Sequence, residues 1–275
     1  MKFKKTWAFY FSATGTTQKL VTKLADRLAK LLKTTREDFD FTLPSARAAA
    51  PAVAAEDFVV FGIPVYAGRV PNVLLKYLAE IKGEGAVALP ITMFGNRDYD
   101  DALIELKDIL EERNFYVPAA GAFVGQHSFS EILAKGRPDG EDIAAALRFA
   151  ETVAEKILRI PDKDAIPPLH VKGTPKPYRG YYQPRNADGT PADLRKVKPE
   201  VGDRCNNCKK CALSCPMGSI SLDNVREYKG ICIKCGACVK KCPQEARYYQ
   251  DEQYLHHKRD LEESLTRRAE PEIFV

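Results

Sequence analysis

Along the first 160 residues, short apolar runs alternate with longer stretches in which apolar residues recur every three or four positions. The short runs read as buried strands at residues 6–11, 39–43, 57–62, 86–94 and 119–124. Pro90 lies inside the fourth run, lacks a backbone N–H, and marks where ladder pairing is expected to begin. Leu20, Val21, Leu24, Leu28, Leu31 and Leu32 form one helical stripe, so the pattern predicts a helix over 17–33. Similar spacing predicts helices at 72–81, 100–113 and 140–158. Strands of this kind, joined by helical crossovers, imply an α/β doubly wound, five-stranded parallel sheet, with ligands bound beyond the carboxyl ends of the strands.

The pattern changes after residue 160. Residues 161–200 are rich in Pro, Gly, Lys and Tyr, with turn signals at Pro167-Pro168, Gly173-Thr174-Pro175 and Asp188-Gly189. Such composition predicts a surface linker, with Tyr178, Tyr181 and Tyr182 available to pack it onto either half. Residues 251–268 read as a charged helix followed by a tail to 275, in which His256 and His257 are expected to be solvated and without a role. The organisation expected is therefore an α/β domain over 1–160, a linker over 161–200, a cysteine-rich domain over 201–250 and a helical tail over 251–275.

Composition is that of a globular protein, 45% hydrophobic and 29% charged, with a formal charge of +5. Acidic and basic residues interleave, so no basic stripe calls for nucleic acid. The opening apolar run is too short for a signal peptide, and no run is long enough to span a membrane. A cytoplasmic location, where thiols stay reduced, is the expectation.

All eight cysteines fall into two copies of C-x2-C-x2-C-x3-C-P: Cys205, Cys208, Cys211, Cys215-Pro216 and Cys232, Cys235, Cys238, Cys242-Pro243. This is the bacterial [4Fe-4S] ferredoxin pattern, in which the fourth Cys of each run ligates the other cluster. The assignment is then Cys205, Cys208, Cys211 and Cys242 for cluster I, and Cys232, Cys235, Cys238 and Cys215 for cluster II. A four-thiolate zinc site also uses paired C-x2-C, but explains neither the third Cys of each triplet nor the repeated C-P ending. Ile220, Ile231 and Val239 are candidates for an apolar shell around the clusters.

Three loops at the ligand end of the sheet carry candidate chemistry. Ser12-Ala13-Thr14-Gly15-Thr16-Thr17 opens the first helix, where hydroxyls and backbone N–H groups suit a phosphate monoester; a helix-capping cluster is the plainer alternative. The loop lacks the Lys of a P-loop and the three glycines of a dinucleotide fingerprint. Pro64-Val65-Tyr66-Ala67-Gly68 follows the third strand, and Gly95, Asn96 and Tyr99 follow the fourth. Either tyrosine alone suits packing; together, beside a phosphate loop, they read as walls for a flat aromatic cofactor. His127, past the fifth strand, fits either a polar structural role or proton delivery.

These three loops resemble those of flavodoxin, an FMN-binding fold. With the paired cysteine motifs, the whole chain resembles flavodoxin-like proteins carrying a C-terminal 2[4Fe-4S] ferredoxin domain. Thr16 departs from the pattern, since flavodoxins commonly carry Asn in T-G-N-T. The resemblance implies FMN, held by Ser12 to Thr17, Pro64 to Gly68, Gly95, Asn96 and Tyr99, with the Ala67-Gly68 peptide beside flavin N5 and free to flip. It implies electron transfer between two [4Fe-4S] clusters and FMN, with a redox partner protein or a small-molecule acceptor. Two rival readings are an FMN-dependent reductase fed by the clusters and a redox-sensing binding protein.

Overall fold

The computed structural model describes all 275 residues. Its centre is a sheet whose parallel strands are β1 (Lys5–Tyr10), β2 (Thr35–Asp40), β3 (Asp57–Pro64), β4 (Val87–Phe94) and β5 (Ala120–Val124). Their spatial order is β2-β1-β3-β4-β5, the flavodoxin-like doubly wound order. Helices α1 (Thr16–Leu32), α2 (Asn72–Leu78), α3 (Ala102–Glu112) and α4 (Gly140–Arg159) make the crossovers. Side chains alternate across β1: Trp7 and Phe9 join the apolar cluster under α2 and α3, while Ala8 and Tyr10 join the one under α1 and α4. Both faces of the sheet are thus covered, which is why β3, β4 and β5 are buried almost end to end.

β2 begins at Thr35, four residues before the apolar run that marks it in the sequence. It is an edge strand with mostly polar, exposed side chains, and its register comes from pairing Lys5 with Thr35 through to Tyr10 with Asp40. The apolar run instead ends the strand and turns Phe41 into the core. Pro90 does not interrupt β4, which pairs with β3 from Val87 onward. Pairing with β5 starts at Ile91, immediately after the proline.

The sheet has six strands rather than five. A short β6 (Glu200–Val201) pairs with β7 (Arg247–Tyr248) in the cysteine-rich region, together with one-turn helices α5 (Lys210–Leu213) and α6 (Ala237–Lys240). Helix α7 (Glu252–Ser264) then leads back, and β8 (Glu272–Phe274) adds antiparallel to β5 as the sixth strand. The expected helix over 251–268 therefore stops at Ser264. Beyond it, Asn96 holds the backbone of Leu265, Arg267 and Ala269, and Arg137 holds the Ala269 carbonyl at 2.6 Å.

The connector is tied to the α/β half. Asp101, fully buried, accepts from the backbone N–H of Thr174 and Arg179 at 2.9 and 2.8 Å. Tyr178 donates to Asp108, and the Tyr182 N–H donates to the Ala67 carbonyl at 2.8 Å. Ala192, Leu194 and Val197 bury themselves against Tyr254 of α7, a small core that the composition of this segment does not suggest. No helix is long and apolar enough to cross a membrane.

Candidate functional site

The eight cysteines divide between two cavities. One is lined by Cys205, Cys208, Cys211 and Cys242, the other by Cys215, Cys232, Cys235 and Cys238. In each, three thiols come from one run and the fourth from the other. The first turn of α5 or α6 carries the third Cys of its triplet, and the residue ahead of each helix, Lys209 or Gly236, takes a left-handed conformation that reverses the chain around the cavity. The two fourth cysteines are treated alike: the Ser219 N–H donates to Cys215 Sγ at 3.4 Å, and the Ala246 N–H to Cys242 Sγ at 3.3 Å. The thiols thus stand around two voids. Burial pushes the Cys235 and Cys238 thiols up to about 12, so a metal that binds there must displace protons.

Among the apolar candidates, Ile220 is buried at the second cavity and Val239 is half-buried beside the small core of this region. Ile231 is 69% exposed and does not shield the site from water in the way expected, although it lies at the cavity mouth.

At the carboxyl end of the sheet, a cleft of about 790 Å³ opens between the loops after β3 and β4. Val65, Tyr66, Ala67, Gly68 and Gly95 line one side. Ile231, Cys232, Ile233 and Lys234 also line the cleft, so the second cysteine run borders it directly. A smaller hollow of about 60 Å³ adjoins it, lined by Ala13, Thr14, Thr16, Thr17, Pro64 and Cys235; Val65, Tyr66, Gly95 and His127 border both. Tyr66 lies close to Cys235 and Cys232, and burial first, then those thiols, pushes its phenol well above the usual range.

The loop before α1 meets both readings of its sequence. Ser12 Oγ accepts from the Gln18 N–H at 3.0 Å and so works as a cap. Gly15, with φ of 96°, has open space around it, and no side chain caps the helix end itself. With the Gln18 N–H taken by Ser12, the N–H groups of Thr16 and Thr17 are left free for an anion.

Ala67 and Gly68 both take positive φ, 49° and 77°, in a tight turn closed by mutual hydrogen bonds between Tyr66 and Arg69. The space a side chain on residue 68 would need is filled by the Asp100 carboxylate. The Ala67 carbonyl already accepts from Tyr182, so the peptide expected to flip is clamped by the connector.

Two sequence candidates lie elsewhere. Asn96 is buried and spends its side chain on the tail, as described above. Tyr99 is 1% exposed and donates to Glu272 of β8 at 2.8 Å. Tyr99 serves the sixth strand and Asn96 the segment that leads into it, neither of which the sequence pattern marks. Their place in the cleft is taken by Arg97, Tyr182, Lys234 and His257. Arg97 sits 4.3 Å from the Tyr182 ring centre. His257 is not solvated as expected but 5% exposed, packed against Phe129 and Tyr182. Arg97 comes from the same loop after β4 as Asn96 and Tyr99; no local signal marks the other three, because they come from the connector, the second cysteine run and α7.

His127 borders both hollows, and its Nδ1 accepts from the Phe129 N–H at 3.2 Å, leaving the proton on Nε2. Burial, with the nearby His257, Lys240 and Arg97 adding to it, lowers its pKa to about 4. At neutral pH it is an uncharged donor facing the cleft.

Fold and site together define a flavodoxin-like α/β domain joined to a C-terminal iron-sulfur electron-transfer domain. Residues 204–247 match the 4Fe-4S dicluster domain. Over 53 residues the chain is 39% identical to pyruvate synthase subunit PorD of Methanothermobacter marburgensis, a match that covers 19% of this chain and 64% of that protein. A short-chain flavodoxin associated with a non-canonical PDU bacterial microcompartment is 17% identical, with a TM-score of 0.39, covering 57% of this chain and 99% of its own. A flavodoxin of Streptococcus pneumonia TIGR4 is 18% identical, with a TM-score of 0.38, covering 55% and 99%.

Proposed function

We propose that the protein passes electrons between two [4Fe-4S] clusters and FMN, with Cys205, Cys208, Cys211 and Cys242 on cluster I and Cys215, Cys232, Cys235 and Cys238 on cluster II. The observation that carries this reading is the shared wall: Cys232 and Ile233 line both the second cysteine cavity and the cleft of the α/β domain. The residues present fit both groups. Four thiols stand around each void, and backbone N–H groups donate to two of the sulfurs. For FMN, the free N–H groups and hydroxyls of Thr14, Thr16 and Thr17 suit the phosphate, and the adjoining cleft beside Tyr66, Gly68 and Gly95 suits the ring system. Bound FMN would supply exchange of one or two electrons. The chain's own contribution is to hold the ring against Tyr66 and the second cysteine run, to exclude water with the connector and α7, and to present the uncharged His127 as a donor.

The division expected from sequence, with an α/β domain over 1–160, a connector over 161–200 and a cluster domain over 201–250, belongs to this proposal. So does a redox partner. PorD is by its name a subunit of pyruvate synthase, and its similarity is confined to the cysteine-rich stretch. A corresponding role here is to relay electrons to or from a partner oxidoreductase.

Anaerobic purification with iron, sulfide and flavin measured on one sample tests the reading. About eight iron atoms and one flavin per chain are expected for two cubanes and FMN. A preparation that takes up iron but no flavin would overturn the FMN half, and zinc in place of iron would overturn the other. A second reading, a reductase acting on a small acceptor, is favoured by the size of the cleft and by its connector wall at Tyr182 and Arg195. Saturable reoxidation by a small molecule, lost when Tyr182 is changed to Ala, would select it over a pure carrier.

A further inference from the structure

The two cysteine runs continue alike beyond their fourth Cys, as Cys215-Pro216-Met217-Gly218-Ser219-Ile220 and Cys242-Pro243-Gln244-Glu245-Ala246-Arg247. In both, the fourth residue after the Cys donates its N–H to that sulfur, and the fifth is buried. The fifth residue is Ile220 in one copy, 5% exposed at the cavity of Cys215, Cys232, Cys235 and Cys238. In the other it is Arg247, 3% exposed at the cavity of Cys205, Cys208, Cys211 and Cys242. Equivalent positions of the two copies thus hold an apolar side chain in one and a cation in the other.

Arg247 has no carboxylate partner. Its Nη1 donates to the Tyr228 hydroxyl at 2.8 Å, its Nη2 donates to the Val225 carbonyl, and its Nε is buried without a partner. Arginine stays protonated in proteins, so the charge cannot be shed. A buried charge needs a nearby opposite one, and the candidates beside the guanidinium are the sulfurs of Cys238 and Cys211, which become anionic only as cluster ligands. A cation in a low-dielectric wall favours whichever form of its neighbour carries one more negative charge, and does so more strongly at shorter range.

We propose that Arg247 splits the potentials of the two clusters, holding cluster I above cluster II. Arg247 is a positioning residue in this role: it touches no substrate and acts through the clusters, so the inference rests on the dicluster reading above. Cys238 of cluster II feels its charge ahead of Cys211 of cluster I, so both potentials rise; but Cys238 is one ligand of four, whereas Arg247 lines the first cavity beside all four of Cys205, Cys208, Cys211 and Cys242, and cluster I therefore rises further. The reduced protein then keeps its electron on the cluster of the exposed Cys208, on the solvent side, and the cluster facing the cleft is the weaker holder.

The test is an anaerobic dithionite titration of the full-length, cluster-loaded protein, followed by EPR with iron quantified throughout, for wild type, R247K, R247Q and R247M. The expected result is two separated midpoints in wild type, a gap that narrows in R247M because the upper midpoint falls, and a gap preserved in R247K. R247Q, which keeps hydrogen-bond donors but no charge, should behave like R247M and replaces it if R247M fails to assemble. A gap that is unchanged or widened in a loaded neutral variant overturns the proposal. So does iron held by R247K but lost from both neutral variants, which would make Arg247 an assembly residue. Wild type with iron for only one cluster overturns the dicluster reading itself, and this inference with it.

Discussion

The α/β half and the cysteine-rich half solve the problem of a core in opposite ways. The sheet closes two apolar clusters of 30 and 22 buried residues, one on each face. The largest cluster wholly within the cysteine-rich half has 5 buried residues, two of them Cys211 and Cys238. A segment this small rarely stabilises itself by apolar burial and usually depends on a metal or a disulfide. Its cysteines are free thiols, and residues 204–247 match the 4Fe-4S dicluster domain. The two runs also differ from each other: Cys235 and Ala237 belong to the large cluster of the α/β half, whereas the first run touches no such support. The second run is thus tied to the α/β half by apolar burial, and the first by a polar contact, Arg47 Nη2 donating to the Pro216 carbonyl at 2.6 Å.

Removing iron should break this comparison most visibly. Under anaerobic chelation, amide protection is expected to vanish from residues 201–230 and to weaken less around Cys235 and Ala237, with the sheet strands unchanged. Simultaneous loss in both halves would show that they share one cooperative core. In the other direction, Leu24→Ala strikes a fully buried position beneath α1 and should cost the α/β half about 2–5 kcal/mol in denaturant titration while bound iron is retained.

Gly236→Ala probes the seam between the halves. Residue 236 has φ of 74°, and a Cβ there would come within 2.7 Å of the Ser128 carbonyl oxygen. A cost of about 1–3 kcal/mol is expected, with faster exchange at Ser128 and Phe129 but not in β1. Asp139→Ala removes the capping box of α4, in which Asp139 accepts from the Glu141 and Asp142 N–H groups. It should lower the melting stability of the α/β half by about 1 kcal/mol without touching iron or flavin content.

The smallest effect expected is a pH dependence in the connector. Burial alone would raise the Asp101 pKa, but the Arg179 side chain and the Thr174 and Arg179 N–H groups outweigh it and lower it to about 2. A carboxyl held below its unfolded value stabilises the fold fully above the ordinary carboxylate range and loses that contribution as pH falls through the folded pKa. Connector protection should therefore hold above about pH 4 and decline toward pH 2, and Asp101→Asn should remove that slope.

Much of the site was legible because its signals are local. The paired spacing of eight cysteines marks which thiols turn together, and each cavity is lined by three thiols of one run and one of the other. The phosphate-type loop before α1 and the turn at Tyr66 to Gly68 also stand at the expected edge. Asn96 and Tyr99 could not be placed from sequence, because what they hold is a tail 169 and 173 residues away whose strand is three residues long. Likewise His257 looks solvated on a polar helix until Phe129 and Tyr182 close over it.

The sequence by itself determined the doubly wound sheet, through apolar periodicity, and the cluster pattern, through cysteine spacing. Both depend on neighbours a few residues apart, where geometry follows from the backbone. Only the tertiary structure decided that the second cysteine run forms a wall of the cleft, that β8 completes the sheet, that the Ala67 carbonyl is clamped, and that Arg247 is buried beside one cavity while Ile220 lies beside the other. Those contacts join segments far apart in the chain, and their energy comes from burial and hydrogen bonds that exist only after the chain has folded.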